Sequence, residues 1–72
     1  MRQDELGKLI RAKRIEKGMS QVKLANTSGV SRYTVILAES GHTNLTLKTL
    51  QEIANTLGYR VVIDLVPNEQ EQ

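Results

Sequence analysis

Cysteine, tryptophan and phenylalanine are absent from this chain, and histidine and proline occur once each, as His42 and Pro67. Without cysteine no disulfide can brace the fold. A single histidine and no thiol leave too few donors for a structural zinc site. No apolar run approaches the ~20 residues that span a bilayer. The N-terminal MRQDELGK lacks the apolar stretch that opens a secretory signal, so the chain is expected in the cytoplasm. Catalysis lacks its materials too: there is no nucleophilic thiol, no carboxylate cluster and no glycine-rich phosphate loop. The sequence therefore predicts no enzyme, no cofactor and no metal site. With Tyr33 and Tyr59 the only aromatics, the core must be aliphatic.

What is present is one small domain of 72 residues. A chain this short buries only ~60% of the surface it exposes when unfolded. With disulfides and metals excluded, oligomerisation is the support left to it. Net charge is +2, but the charges are segregated. All ten Lys and Arg lie within residues 1–63, against five acids there, while Asp64, Glu69 and Glu71 close the chain. Lys8, Arg11, Lys13, Arg14 and Lys17 crowd the first helical stretch. A basic body suits a polyanionic partner; a merely solvated helix face is the alternative.

Helical periodicity runs over residues 4–17, with Asp4 as a candidate N-cap and Gly18 as a stop. Leu6, Ile10 and Arg14 share one face, which places a cation on an apolar stripe and demands a partner for it. Ser20 is the expected cap of a short second helix from Gln21 to about Thr27, followed by the turn cluster Asn26-Thr27-Ser28-Gly29. Ser31 opens a third helix that runs to about Ser40 and ends at Gly41. After a loop at 41–45, Thr46 opens a fourth, in which Leu47, Leu50, Ile53, Ala54 and Leu57 repeat at helical spacing up to Gly58. Residues 58–66, GYRVVIDLV, then switch to the period-two, β-branched pattern of a strand, halted by Pro67. The chain thus divides into a helical body at 1–58, a strand at 59–66 and a polar, disordered tail at 67–72.

The segment SQVKLANTSGVSRYTVILAESG, residues 20–41, carries the functional signal. Two short helices flank a tight turn centred on Gly29; Ala25 is small enough for close helix packing, and Val30 and Val35 fill the angle between the helices. This Ala–x3–Gly–x5–Val spacing resembles the helix-turn-helix of the phage-repressor (Cro/CI, or XRE) family. The resemblance extends through LGKLIRAKRIEKGMSQ upstream and LTLKTLQEIANTLG downstream, about residues 5–58. It implies a mainly α, four- to five-helix lambda-repressor-like domain whose third helix lies in the DNA major groove.

Placed residue by residue, the resemblance makes Arg32, Tyr33 and Leu37 base readers. Arg32 reaches guanine in bidentate fashion, Tyr33 contacts a phosphate or a base edge, and Thr34 touches backbone or base beside the cap residue Ser31. Gln21 meets a phosphate at the start of the second helix. His42, Thr43 and Asn44 form a loop that approaches the next phosphates. Arg14 and Glu39 fall where related domains hold a partly buried ion pair. The third helix also departs from the family pattern: Ile36 and Leu37 replace polar residues, and Ala38 replaces a larger apolar one. Leu37 therefore either touches a thymine methyl or packs on protein. The loop lacks the basic residues of many relatives, which lowers the expected non-specific affinity.

A strand cannot satisfy its own backbone groups. The simplest solution is a two-fold homodimer in which residues 59–66 pair antiparallel. Tyr59, Val61, Ile63 and Leu65 would then cover the fourth helices, Val62 would join the interface, and Arg60 would pair with Asp64 across strands. A repressor-type body with such a strand resembles the HipB-like antitoxins of type II toxin–antitoxin modules. That likeness implies autoregulation at a palindromic operator and a HipA-type kinase toxin as partner. A stand-alone or phage-type regulator without a toxin, and a protein-interaction module that binds no DNA, are the alternatives.

Overall fold

The computed structural model describes residues 2–41 and 45–69. Four helices form the body: α1 (Gln3–Glu16), α2 (Gln21–Ser28), α3 (Arg32–Ser40) and α4 (Leu47–Thr56). No strand is formed among the described residues.

Three of the four helix starts follow from capping chemistry. The hydroxyls of Ser20, Ser31 and Thr46 accept from the backbone N–H groups of Lys23, Thr34 and Thr49, at 3.0, 3.0 and 3.1 Å. Each satisfies a donor that the helix itself cannot. The first helix corrects its expected cap. It begins at Gln3, Arg2 occupies the cap position with no side-chain bond, and Asp4 lies inside the first turn. There the Arg2 guanidinium holds the Asp4 carboxylate at 3.2 Å, and the acid faces the positive end of the helix instead of bonding to its amides. The expected stops at Gly18, Gly41 and Gly58 all have positive φ.

The core is aliphatic, as the composition requires. Leu24, Val35 and Ile53 have no exposure, and Ile10, Ala25, Ala38 and Leu57 complete the buried set. Leu6, Met19, Val30, Leu45 and Leu50 pack around it. Buried Ser28 donates its hydroxyl to the Leu24 carbonyl at 2.6 Å, so it leaves no unsatisfied group.

The crossing of α1 over α3 explains why residue 7 is glycine. A Cβ added to Gly7 would lie 2.6 Å from the Ala38 carbonyl oxygen and 2.7 Å from that of Glu39. Glycine here lets α1 press against the backbone of α3. Gly7→Ala should lower thermal stability by about 1–3 kcal/mol through overpacking, although alanine is the better helix former by about 1 kcal/mol. An unchanged melting temperature would show that the helices separate freely.

Past Gly58, the Tyr59 N–H donates to the Ala54 carbonyl at 2.8 Å. Residues 59–66 then run without strand pairing, and every residue from Val62 to Glu69 is exposed. Of the face expected to cover α4, Tyr59 and Val61 reach it, and they line a groove with Leu50, Ala54 and Leu57. Ile63 and Leu65 do not, being 63% and 92% exposed. The expected strand and its antiparallel pairing are not seen in the single chain.

Candidate nucleic-acid interface

The turn between α2 and α3 is closed on one acceptor. The Ala25 carbonyl receives the N–H groups of Gly29 at 2.9 Å and Val30 at 3.0 Å. This geometry needs φ of +79° at Gly29, which glycine reaches without steric cost. Ala25 is buried, so α3 packs tightly against α2.

On α3, side chains divide by face. Val35 and Ala38 point into the core, while Arg32 and Tyr33 at the N-terminal end are exposed, Tyr33 to 68%. Thr34 is half-buried, and its hydroxyl lies 2.9 Å from that of Ser31. Ile36 and Leu37 are half-buried. His42, Thr43 and Asn44 lie outside the described residues.

The expected Arg14–Glu39 pair forms. Arg14 Nε and Nη2 donate to the two Glu39 oxygens at 2.6 and 3.1 Å, and only 11% and 5% of the two side chains are exposed. Arg14 Nη1 donates to the Met19 carbonyl at 2.8 Å. The Arg14 guanidinium is held above its usual pKa by its hydrogen bonds to Glu39, against the opposing effect of burial.

Beside this pair a polar cleft of about 430 Å³ opens between α1 and the helix-turn-helix. Arg11, Ser20, Gln21 and Arg32 line it. The fold thus brings together Gln21 and Arg32, two residues expected at the site. It adds Arg11, which sequence reading placed only within a general basic cluster. The signal was available, since Arg11 lies one helical turn before Arg14. Gln21 Nε2 also donates to Glu39 Oε1 at 3.3 Å, a link that spacing alone does not reveal.

A second feature lies where α1 and α4 meet the C-terminal segment. An apolar groove of about 330 Å³ is lined by Leu6, Leu9, Ile10, Leu50, Ala54 and Leu57, with Lys13 and Arg60 also on its wall. The Lys13 ammonium sits 5.2 Å from the Tyr59 ring centre. Its pKa is raised first by the Tyr59 side chain and then by Glu16. Among the described residues no cluster of His, Cys, Asp or Glu is placed to hold a metal ion. No described helix is long and apolar enough to cross a membrane.

The helix-turn-helix family model HTH_3 matches residues 10–63. Among solved structures, the chain is similar to the restriction-modification controller protein C.AhdI from Aeromonas hydrophila, with 33% identity and a TM-score of 0.76 over 79% of this chain and 86% of that one. It is similar to the clp gene regulator ClgR from C. glutamicum, with 29% identity and a TM-score of 0.77 over 82% and 76% of the two chains. It is similar also to the restriction-modification controller protein C.Esp1396I, with 34% identity and a TM-score of 0.73 over 78% and 72%. No curated protein sequence matches. The family match takes in the turn closed on Ala25, both helices of the motif and α4, and the chain belongs to the XRE-type helix-turn-helix family, HTH_3.

Proposed function

We propose that the protein is a sequence-specific DNA-binding transcriptional repressor that acts as a homodimer on a palindromic operator. The observation that carries this reading is the arrangement around the cleft. The exposed N-terminal end of α3 stands beside the start of α2, with Arg11, Gln21 and Arg32 on one wall and no acid exposed among the cleft residues. Arg32 reads guanine, and Tyr33 and Thr34 contact base edges or backbone beside Ser31. Gln21 and Arg11 hold backbone phosphates, which sets register without reading sequence. Leu37, being half-buried, contributes packing and at most its outer methyls to a thymine.

Selection of bound duplexes from a random pool tests the reading. A two-fold symmetric consensus is expected, with half-sites about one helical turn, ~34 Å, apart. Arg32→Ala should then relax preference at one position per half-site by about 1–3 kcal/mol. Binding should fall steeply with salt; a protein-interaction module that binds no DNA would show no such slope.

The homodimer rests on residues 59–66. Tyr59 and Val61 wall the apolar groove, while Val62, Ile63, Leu65 and Val66 are exposed in the single chain. Asp64 accepts at 2.8 Å only from its neighbour Leu65 within this segment, and the groove carries Lys13 and Arg60. Apolar and charged groups are thus complementary between one copy's segment and another copy's groove. The antitoxin role, with a HipA-type kinase as partner, draws on the repressor-type body with its C-terminal segment and on the LGYRVVIDLV stretch. The similar structures are described as restriction-modification controllers and a clp gene regulator, which favours a stand-alone regulator over an antitoxin.

A further inference from the structure

Glu39 lies on the DNA-facing helix α3, yet its carboxylate points inward, with 5% of the side chain exposed. Its oxygens receive donors from two other elements: Arg14 of α1 at 2.6 and 3.1 Å, and Gln21, the first residue of α2, at 3.3 Å. Arg14 in turn fixes the link before α2 through the Met19 carbonyl, at 2.8 Å. One carboxylate therefore joins α1, α2 and α3.

The chemistry of the contact sets an orientation. An ionised carboxylate only accepts, so the amide nitrogen of Gln21, and not its oxygen, must face Glu39. One Nε2 proton is taken by Glu39, which leaves the second for another acceptor. Gln21 lines the cleft alongside Arg11 and Arg32. A free surface glutamine loses rotamer freedom when it meets a ligand. Here much of that ordering is complete before DNA arrives.

We propose that Glu39 is a positioning residue for DNA binding: through Gln21 it preorganises an amide donor for a backbone phosphate, so that the buried ion pair sets operator affinity as well as stability. The inference rests on the DNA-binding reading above. It makes no use of Glu39 touching DNA.

A double-mutant cycle in operator affinity tests it. The probe is the selected duplex, with binding measured at a temperature where circular dichroism shows every variant folded. Gln21→Met keeps the side-chain length and the Arg14–Glu39 pair but removes the amide, and should weaken binding about tenfold. Glu39→Gln should weaken it by a similar factor, and the double variant should bind no worse than Gln21→Met alone. Effects that multiply in the double variant overturn the proposal, because a purely structural Glu39 acts independently of residue 21. If Glu39→Gln fails to fold, R14M/E39M takes its place. That pair fills the same space without offering Gln21 an acceptor, and the same non-multiplying pattern is expected. The reading beneath the proposal fails in a different way: wild-type protein then shows no preference for any duplex, and Arg32→Ala changes nothing.

Discussion

Glu39→Ala is expected to destabilise the fold by about 3–5 kcal/mol, as much as emptying a core position such as Leu24 or Ile53. The reason is what it leaves behind. Arg14 is 11% exposed and loses the acceptors of Nε and Nη2, keeping only the Met19 carbonyl. A largely buried guanidinium without its counter-charge keeps its desolvation penalty uncompensated and does not deprotonate. A domain of this length has a total stability of about 4–10 kcal/mol. The loss thus approaches half of it or more, and the melting temperature should drop by at least ~12 °C. Arg14→Ala should behave similarly, leaving Glu39 with Gln21 alone. The double variant Arg14→Ala/Glu39→Ala should be less damaged than the two singles added together, because each removes the other's penalty. R14M/E39M should recover most of the stability, since an apolar pair of similar volume avoids desolvating two ions. Additive single effects in chemical denaturation would mean that the pair is not coupled. The exposed pairs of Arg2 with Asp4 and Lys48 with Glu52 provide the contrast. Surface ion pairs contribute about 0–1 kcal/mol. The raised pKa of Arg14 does not make the pair sensitive to mild alkali. A raised cation stabilises at every pH below its unfolded value and loses that contribution only as pH climbs through the folded one. For a guanidinium both lie beyond neutral working conditions.

The sequence was most legible where chemistry is local. Ser20, Ser31 and Thr46 act as caps, and Gly29 turns, because each outcome depends on a handful of adjacent atoms. Arg14 was legible as a conflict, a charge on an apolar stripe, and the resemblance to a known motif supplied Glu39 as its answer. Asp4 failed as a cap because the helix begins one residue earlier, at Gln3, which puts Asp4 inside the first turn; element ends are the part of a helix that periodicity fixes least. Gly7 gave no local signal at all. A glycine within a helix is unfavourable by propensity, and its value emerges only from the backbone of α3 at 2.6 Å. The Gln21–Glu39 bond belongs to the same class, since it depends on where α2 settles against α3. The segment at 59–66 was legible as a strand pattern, but pairing needs a second edge, and no described part of the same chain supplies one.

Truncation after Gly58 is expected to leave a folded monomer whose affinity for a two-half-site operator falls by about 10²–10⁴-fold. The magnitude comes from linkage, not from lost DNA contacts. Once one recognition helix is bound, a tethered partner meets its own half-site at high effective concentration, and a free monomer does not. Truncation alone would be ambiguous, because it also removes the Tyr59 bond to Ala54 and the Lys13 contact with the Tyr59 ring. Val62→Asp and Leu65→Asp separate the two effects. In the single chain these side chains are 79% and 92% exposed, so Leu65 has almost no intramolecular packing to lose and Val62, at the edge of the groove, little. Substitution at such positions changes monomer stability by only about 0.5 kcal/mol. If the segment packs between two copies, each aspartate instead buries an unpaired charge twice in a symmetric interface. Sedimentation at micromolar concentration should show the wild type as a dimer and both aspartate variants as monomers with an unchanged melting curve at low concentration. A monomeric wild type, or aspartate variants that remain dimeric, would remove residues 59–66 from the assembly and leave their exposed apolar side chains without a role.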